Sequence, residues 1–174
     1  MTSDTLAMTL KRTITVPHIT QGVREVICQH TTFAELELTL DKRLESLGIG
    51  EQMLKTIVVD LEDKYNVSIS YQPGELSTVK HLGEVVNRAL TARHQLVFLE
   101  LFADGCKESF GIEPEQILME SELYADLHLY SSSLFLVADV LRDRYGIPVN
   151  DKEFCLSRDV TAAVTHMITV VRDM

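Results

Sequence analysis

The sequence contains no tryptophan, and aromatic residues make up only 6% of its 174 residues. Proteins that bind single-stranded nucleic acid stack the bases on exposed aromatic rings, so this shortage argues against such a role. Positive charge is also scarce, because 16 lysines and arginines stand against 26 aspartates and glutamates, a formal net charge of -10. An acidic surface repels nucleic acid and anionic membranes, and it attracts basic patches on protein partners.

Cysteine is rare as well. The three cysteines are far apart, odd in number and without a CxxC pair, which predicts neither a zinc site nor a disulfide framework. The six histidines show no paired spacing for a metal ion. The first residues, MTSDTLAMTLKRTITV, lack the basic and apolar regions of a signal peptide, and no apolar run is long enough to cross a bilayer. We therefore expect free thiols, no metal, no membrane insertion and a cytoplasmic location.

Glycine and proline, which interrupt helices, number only 8 and 4. Apolar residues recur at helical spacing in several segments, and this periodicity predicts an all-α fold. The clearest segments are TQGVREVICQH, GEQMLKTIVVDLEDKYNV, QLVFLELFADGCKESFGI, SSSLFLVADVLRDRYGI and DVTAAVTHMITVV. The third of these is expected to end at Gly111, since glycine is favoured just after a helix. Near the N-terminus, TLKRTITV reads as a strand or a loose tail.

An internal repeat appears when the chain is shifted by 80 residues. LEDKYNVSI, which begins at Leu61, then lies over LRDRYGIPV, which begins at Leu141. Leu47 falls on Leu127, and farther on LSTVKHLGEVV matches LSRDVTAAVTHM after a slip of one residue. In both halves a long helix ends at a tyrosine, an extended apolar residue and a loop follow, and an amphipathic helix closes the unit.

The repeat predicts two small helical bundles in tandem, with the boundary between them near Arg93 to Gln95. We predict an N-terminal extension over residues 1–17, a first helical domain over residues 18–93 and a second over residues 94–174. Each half has about 80 residues, which is near the lower limit for a self-sufficient core.

The second half resembles the acyl carrier proteins, a family of four-helix bundles that carry 4′-phosphopantetheine on a serine. FGIEPEQI and DLHLYSS match the family's residues after the first helix and at the start of the second. Tyr145 lies fourteen residues after Ser131, IPVND follows, and Val160 matches the start of the last helix. The resemblance implies two tandem acyl-carrier-like four-helix bundles, with Ser131 as the residue that bears the phosphopantetheine.

The match departs from the family pattern around the serine. The family has Gly-x-Asp before the serine, where this chain has His128, Leu129 and Tyr130. The leucine that follows the serine in the family is Ser132 here. Of the local Asp-Ser-Leu signature only the serine is kept, and these neighbours are the residues that the arm-attaching enzyme reads.

The first half resembles the same family more loosely, from about Leu44 to Ala92. The position fourteen residues before Tyr65 and four after Leu47 is Glu51. A carboxylate has no hydroxyl to accept a phosphoryl group, so this half is interpreted as a degenerate carrier domain that lacks the modifiable serine.

The resemblance implies a non-catalytic carrier that presents an acyl or amino-acyl thioester to enzymes of fatty-acid, polyketide or related biosynthesis. Its cofactor would be 4′-phosphopantetheine, attached by a phosphopantetheinyl transferase, and its other partners would be acyl-transferring or acyl-activating enzymes. The residues implied in partner recognition are Asp126, Ser132, Asp139 and Asp143. Arg142 and Arg144 interrupt this acidic surface, so we expect its partners to differ from the usual ones.

Three other interpretations remain open from the sequence. The three consecutive serines from Ser131 to Ser133 also suit a plain helix N-cap, because serine is among the best capping residues. An unmodified scaffold of carrier-like fold, docking enzymes through its acidic helices, is the alternative function. A small hydrolase that uses Ser131 and His128 is the third, although no G-x-S-x-G motif accompanies the serine.

Overall fold

The computed structural model of the chain describes residues 19–72 and 74–174. Within these residues it contains six α-helices and no β-strand, so the all-α fold class is confirmed. The helices are α1 Ile19–His30, α2 Glu51–Tyr65, α3 Val79–Phe110, α4 Ser131–Tyr145, α5 Asp151–Phe154 and α6 Val160–Asp173. Short 3-10 turns occupy Glu35–Glu37, Glu45–Leu47 and Pro114–Gln116. The predicted extension over residues 1–17, including TLKRTITV, lies outside the described residues.

The described chain forms two compact units. The first ends at Arg93, and the second begins at His94. Each unit has a hydrophobic core of its own. The fully buried large side chains of the first core are Ile27, Leu38, Ile57, Leu61 and Leu82. Those of the second are Phe98, Phe102, Phe154, Leu123, Leu134, Leu141 and Ile147. That the two units act as a degenerate and an intact carrier domain stays a prediction.

The ends of α2 and α4 confirm the tyrosines predicted as the last helical residues. Tyr65 and Tyr145 end the two helices, and the next residues, Asn66 and Gly146, have left-handed backbone angles with φ of 50° and 66°. A left-handed residue after a helix lets its N–H bond to a carbonyl of the last turn, and glycine or asparagine adopts it at the least cost. The same terminating geometry therefore recurs in both halves of the chain.

One helix replaces the two that were expected around the boundary between the halves. The sequence predicted a separate helix on each side of the boundary near Arg93 to Gln95, whereas α3 continues without interruption from Val79 to Phe110. RALTARHQL, the sequence across this point, contains no glycine or proline and consists mostly of good helix formers, so nothing local ends the helix. Its end before Gly111, which has φ of 67°, is confirmed.

The repeat is visible in the backbone hydrogen bonds as well as in the sequence. In each unit, three backbone hydrogen bonds join the residues around the start of the last helix to the loop that follows the first 3-10 turn. The last helix is α3 in the first unit and α6 in the second. In the first unit the bonds are Leu44 N–H to Ser77 O, Val79 N–H to Lys42 O and Lys80 N–H to Leu40 O. In the second they are Leu123 N–H to Arg158 O, Val160 N–H to Ser121 O and Thr161 N–H to Met119 O. The two halves thus share a local fold and not only an amphipathic pattern.

The cysteines are free thiols in the structure, as predicted. Burial raises the pKa of Cys106 to about 12, so this thiol is almost wholly protonated at neutral pH. Among residues 19–72 and 74–174, no group of three or more metal-binding side chains is placed to hold an ion. No helix in this part of the chain is long and apolar enough to span a membrane.

Candidate functional site

Ser131 is the first residue of α4, and its side chain is exposed. The loop that leads to it is held by Leu127 and Leu129, which are buried in the core of the second unit. Leu134, one turn into the helix, is buried as well. These three anchors fix where the helix begins, and they leave the Ser131 hydroxyl facing outward.

The N-cap interpretation of the three serines is wrong. The N-cap residue is Tyr130, with extended backbone angles and no capping hydrogen bond from its side chain. Ser131, Ser132 and Ser133 all lie inside the first turn, where a side chain no longer occupies the capping position. The buried leucines on either side set the helix start one residue earlier than a serine cap requires.

The loop before Ser131 is closed by its own hydrogen bonds. The Asp126 carboxylate accepts a bond of 2.8 Å from the Glu122 N–H, and the Leu129 N–H donates to the Leu123 carbonyl at 2.7 Å. Asp126, predicted to recognise partners, is therefore also part of the turn that positions the site. Its role toward a partner stays a prediction.

His128 lies in this loop with φ of 55°, in the left-handed region, and the matching residue of the first unit is Gly48 with φ of 72°. A side chain costs about 1–2 kcal/mol in that region, whereas glycine loses about 0.5–1 kcal/mol of backbone entropy. We expect His128→Gly to stabilise the second unit by about 0.5–1 kcal/mol. Urea unfolding measures the change. His128→Ala, which keeps a Cβ, is the matched control, and an equal gain in both variants would contradict the explanation.

No hydrogen bond joins the side chains of His128 and Ser131, both of which lie in the described part of the chain. A serine nucleophile needs a base within hydrogen-bond reach to take its proton. The arrangement therefore gives no support to the hydrolase interpretation.

A cleft of about 520 Å³ lies beside Ser131. It is formed where the loop before α4, the first turn of α4 and the segment before α6 come together. Its lining residues are Glu122, Leu123, Tyr124, Leu129, Tyr130, Ser131, Leu134, Ser157, Arg158 and Asp159. The serine hydroxyl thus stands at the edge of a concave surface that is partly apolar and partly polar.

The first unit has a cleft of about 630 Å³ at the corresponding place, at the start of α2. Its lining residues are Arg43, Leu44, Glu45, Ile49, Gly50, Glu51, Leu54, Gly74, Leu76, Ser77 and Thr78. Glu51 is the first residue of its helix, as Ser131 is of α4. The Lys55 ammonium donates a hydrogen bond of 2.8 Å to Glu51, which lowers the pKa of this carboxyl below its usual value.

The carboxylates predicted to recognise partners are exposed, and that of Asp139 is held in an ion pair. Asp139 forms an ion pair with Arg142, which also pairs with Asp151. Arg144 pairs with Glu108 at 2.9 Å. Asp143 lies one turn beyond Asp139 on the outward side of α4, whereas Ser132 lies at the start of the helix and Asp126 in the preceding loop. The four predicted recognition residues are thus spread along the helix and its entry.

The sequence interpretation missed four large apolar side chains near Ser131 that are exposed. Tyr124, Tyr130, Phe135 and Leu136 have exposed fractions of 60%, 56%, 45% and 51%. The signal was present, because Phe135 and Leu136 fall outside the one-face spacing that defines the buried side of α4. The rings of Tyr124 and Tyr130 pack edge to face, with centroids 4.8 Å apart.

No family model matches the chain, and no curated protein matches it. A search of solved structures finds the solution structure of the apo doublet acyl carrier protein from prodigiosin biosynthesis. This protein is 18% identical, and the alignment covers 88% of the present chain and 81% of the other, with a TM-score of 0.36. A score this low carries no argument about the fold or function of the chain.

Proposed function

We propose that the chain is a non-catalytic carrier protein that bears 4′-phosphopantetheine on Ser131. It would present an acyl or amino-acyl thioester to partner enzymes of fatty-acid, polyketide or related biosynthesis. The observation that supports this proposal is the placement of the Ser131 hydroxyl, exposed at the first residue of an anchored helix and at the edge of a cleft.

The residues around Ser131 fit a phosphodiester. The N–H groups at the start of a 15-residue helix favour negative charge, because they lie at the positive end of its dipole. A phosphodiester on Ser131 would lie next to these groups. When attached, the prosthetic group supplies a thiol that holds the cargo as a thioester. The role of the chain is then to hold the attachment point outward and offer a surface to enzymes.

Attachment requires only a nucleophilic hydroxyl from this chain. The Ser131 oxygen forms a bond to the phosphorus of coenzyme A that bears the pantetheine. The pyrophosphate bond breaks, adenosine 3′,5′-bisphosphate leaves, and the hydroxyl proton passes to a base of the transferase. Glu51 offers no such hydroxyl in the first unit, so we assign that unit an unmodified role, in folding or in docking of partners.

The experiment incubates the purified chain with coenzyme A and a broad-specificity phosphopantetheinyl transferase, followed by intact mass measurement. We expect the mass to rise by one arm in the wild type and in Ser132→Ala, and to stay unchanged in Ser131→Ala. Circular dichroism confirms that each variant is folded.

One alternative is that the whole chain is an unmodified scaffold that docks enzymes. The presence of Glu51 at the position of the serine favours it, because the first unit keeps the local fold without a residue that can be modified. That function would follow if neither this transferase nor those of the native host add an arm to the folded chain. Turnover of simple esters without any gain in mass would instead indicate a hydrolase.

A further inference from the structure

Four exposed apolar side chains lie in the loop before Ser131 and in the first two turns of its helix, and we name them the apolar rim: Tyr124, Tyr130, Phe135 and Leu136. Tyr130 precedes Ser131 in the chain, and its ring packs against that of Tyr124. Phe135 lies one helical turn after Ser131, so the two side chains are neighbours on the surface of α4. Exposed apolar groups that lie together mark surfaces that another molecule covers.

The first unit provides an internal comparison for this surface. It has the same local fold and a cleft at the same place, but it lacks the modifiable serine. Tyr124 matches Glu45, because the residues before them, Leu123 and Leu44, make corresponding backbone hydrogen bonds. The positions that match the other three rim residues hold Gly50, Lys55 and Thr56. The fold therefore does not require the apolar rim, because the first unit, which lacks the modifiable serine, lacks these apolar residues as well. The apolar rim accompanies the serine.

The corresponding helices of the two units, α4 and α2, also differ in net charge. α4 contains two aspartates and two arginines and has no net charge, and Arg142 pairs with Asp139. α2 contains four acidic residues and two lysines, which leaves it with a net negative charge. The helix that bears the serine thus offers a partner little electrostatic attraction, and its distinctive surface is apolar.

We propose that the apolar rim is the docking surface for the phosphopantetheinyl transferase that modifies Ser131, and that apolar contact rather than charge drives this docking. This inference rests on the proposed function. An enzyme that brings its reacting atoms to bonding distance of the Ser131 oxygen must cover the residues around it. Tyrosine is among the residues that most often dominate interface energies, and two of the four rim residues are tyrosines.

Asp139 and Asp143, which the family resemblance implies in partner recognition, then contribute little to the encounter with this enzyme. Attraction between exposed charges is screened by salt, whereas burial of apolar surface is not weakened by it. Transfer of the arm to Ser131 is therefore expected to depend strongly on the rim and weakly on ionic strength.

The test measures kcat/KM for arm transfer to the full chain by a broad-specificity phosphopantetheinyl transferase. Phe135→Lys and Leu136→Thr install the residues of the first unit, and Tyr124→Ala removes one ring of the pair. Asp139→Asn and Asp143→Asn are the matched charge variants. We expect each rim variant to lower kcat/KM by about tenfold or more, as for interface residues whose truncation is costly. The aspartate variants and a rise to about 0.5 M salt should change it by less than about twofold.

Binding is measured separately with Ser131→Ala, which docks without accepting the arm. Calorimetry should show a negative heat-capacity change on binding the transferase, because apolar surface is buried. The rim variants should lower this affinity by a similar factor, with helix content unchanged by circular dichroism.

Rim variants that keep the wild-type kcat/KM, or a large loss in the aspartate variants and at high salt, would overturn the docking proposal and leave the carrier function standing. A wild-type chain that binds no transferase and accepts no arm would overturn both.

Discussion

Phe102→Ala is expected to destabilise the second unit by about 3–5 kcal/mol. Phe102 lies in α3, is fully buried, and packs edge to face against Phe154 with ring centroids 6.2 Å apart. Truncation removes buried apolar area and leaves a cavity that the surrounding helices close only in part. Because whole domains are stable by about 5–15 kcal/mol, this loss is a large part of the total. Urea unfolding followed by circular dichroism measures it.

Phe135→Ala is the matched control for this prediction. Phe135 is also in the second unit, but its ring is about half exposed on the outer side of α4. Its truncation removes little buried area, and we expect a change within about 0.5 kcal/mol. Equal losses for the two phenylalanines would contradict the placement of the core. The control also bears on function, because a residue that folding does not need is free to serve in docking.

Gly22→Ala is expected to destabilise the first unit by about 1–3 kcal/mol. A Cβ at this position of α1 would stand 1.8 Å from the Tyr65 hydroxyl oxygen and 3.0 Å from its Cζ. The ring of Tyr65 must then leave its place beside α1. This cost exceeds the gain of about 1 kcal/mol that alanine brings over glycine in a helix interior.

Gly83→Ala in α3 separates the two effects, because a Cβ there meets nothing within 4 Å. We expect it to stabilise the chain by about 0.5–1 kcal/mol. Tyr65→Phe, which removes the crowded oxygen, should recover part of the stability lost in Gly22→Ala. Thermal unfolding of the single and double variants tests both points. If Gly22→Ala and Gly83→Ala both stabilise the protein, the ring of Tyr65 does not lie against α1.

The features that sequence reasoning predicted correctly are those set by local residues. The ends of α2 and α4 at Tyr65 and Tyr145 follow from the residue types that come next, which adopt left-handed angles readily. The repeat was readable because equivalent residues of the two units face equivalent cores. The exposed position of Ser131 could be inferred from its register with buried leucines on both sides.

The features that sequence reasoning missed depend on tertiary contacts or on competing local signals. The continuity of α3 was missed because a repeat suggests a boundary, although no residue near Arg93 ends a helix. A serine cap at the start of α4 remained open from the sequence, whereas buried Leu129 fixes the helix start after Tyr130. The two clefts could not be read from the chain, because each is built from segments that are distant in sequence.

The measurement that tests the account most directly is the location of the arm on the full chain. After transfer by a phosphopantetheinyl transferase, the protein is digested and its peptides are fragmented by tandem mass spectrometry. The account predicts one arm, on Ser131 alone, and none on any peptide of the first unit. An arm on Ser132 or Ser133, an arm in the first unit, or an unmodified chain would contradict it.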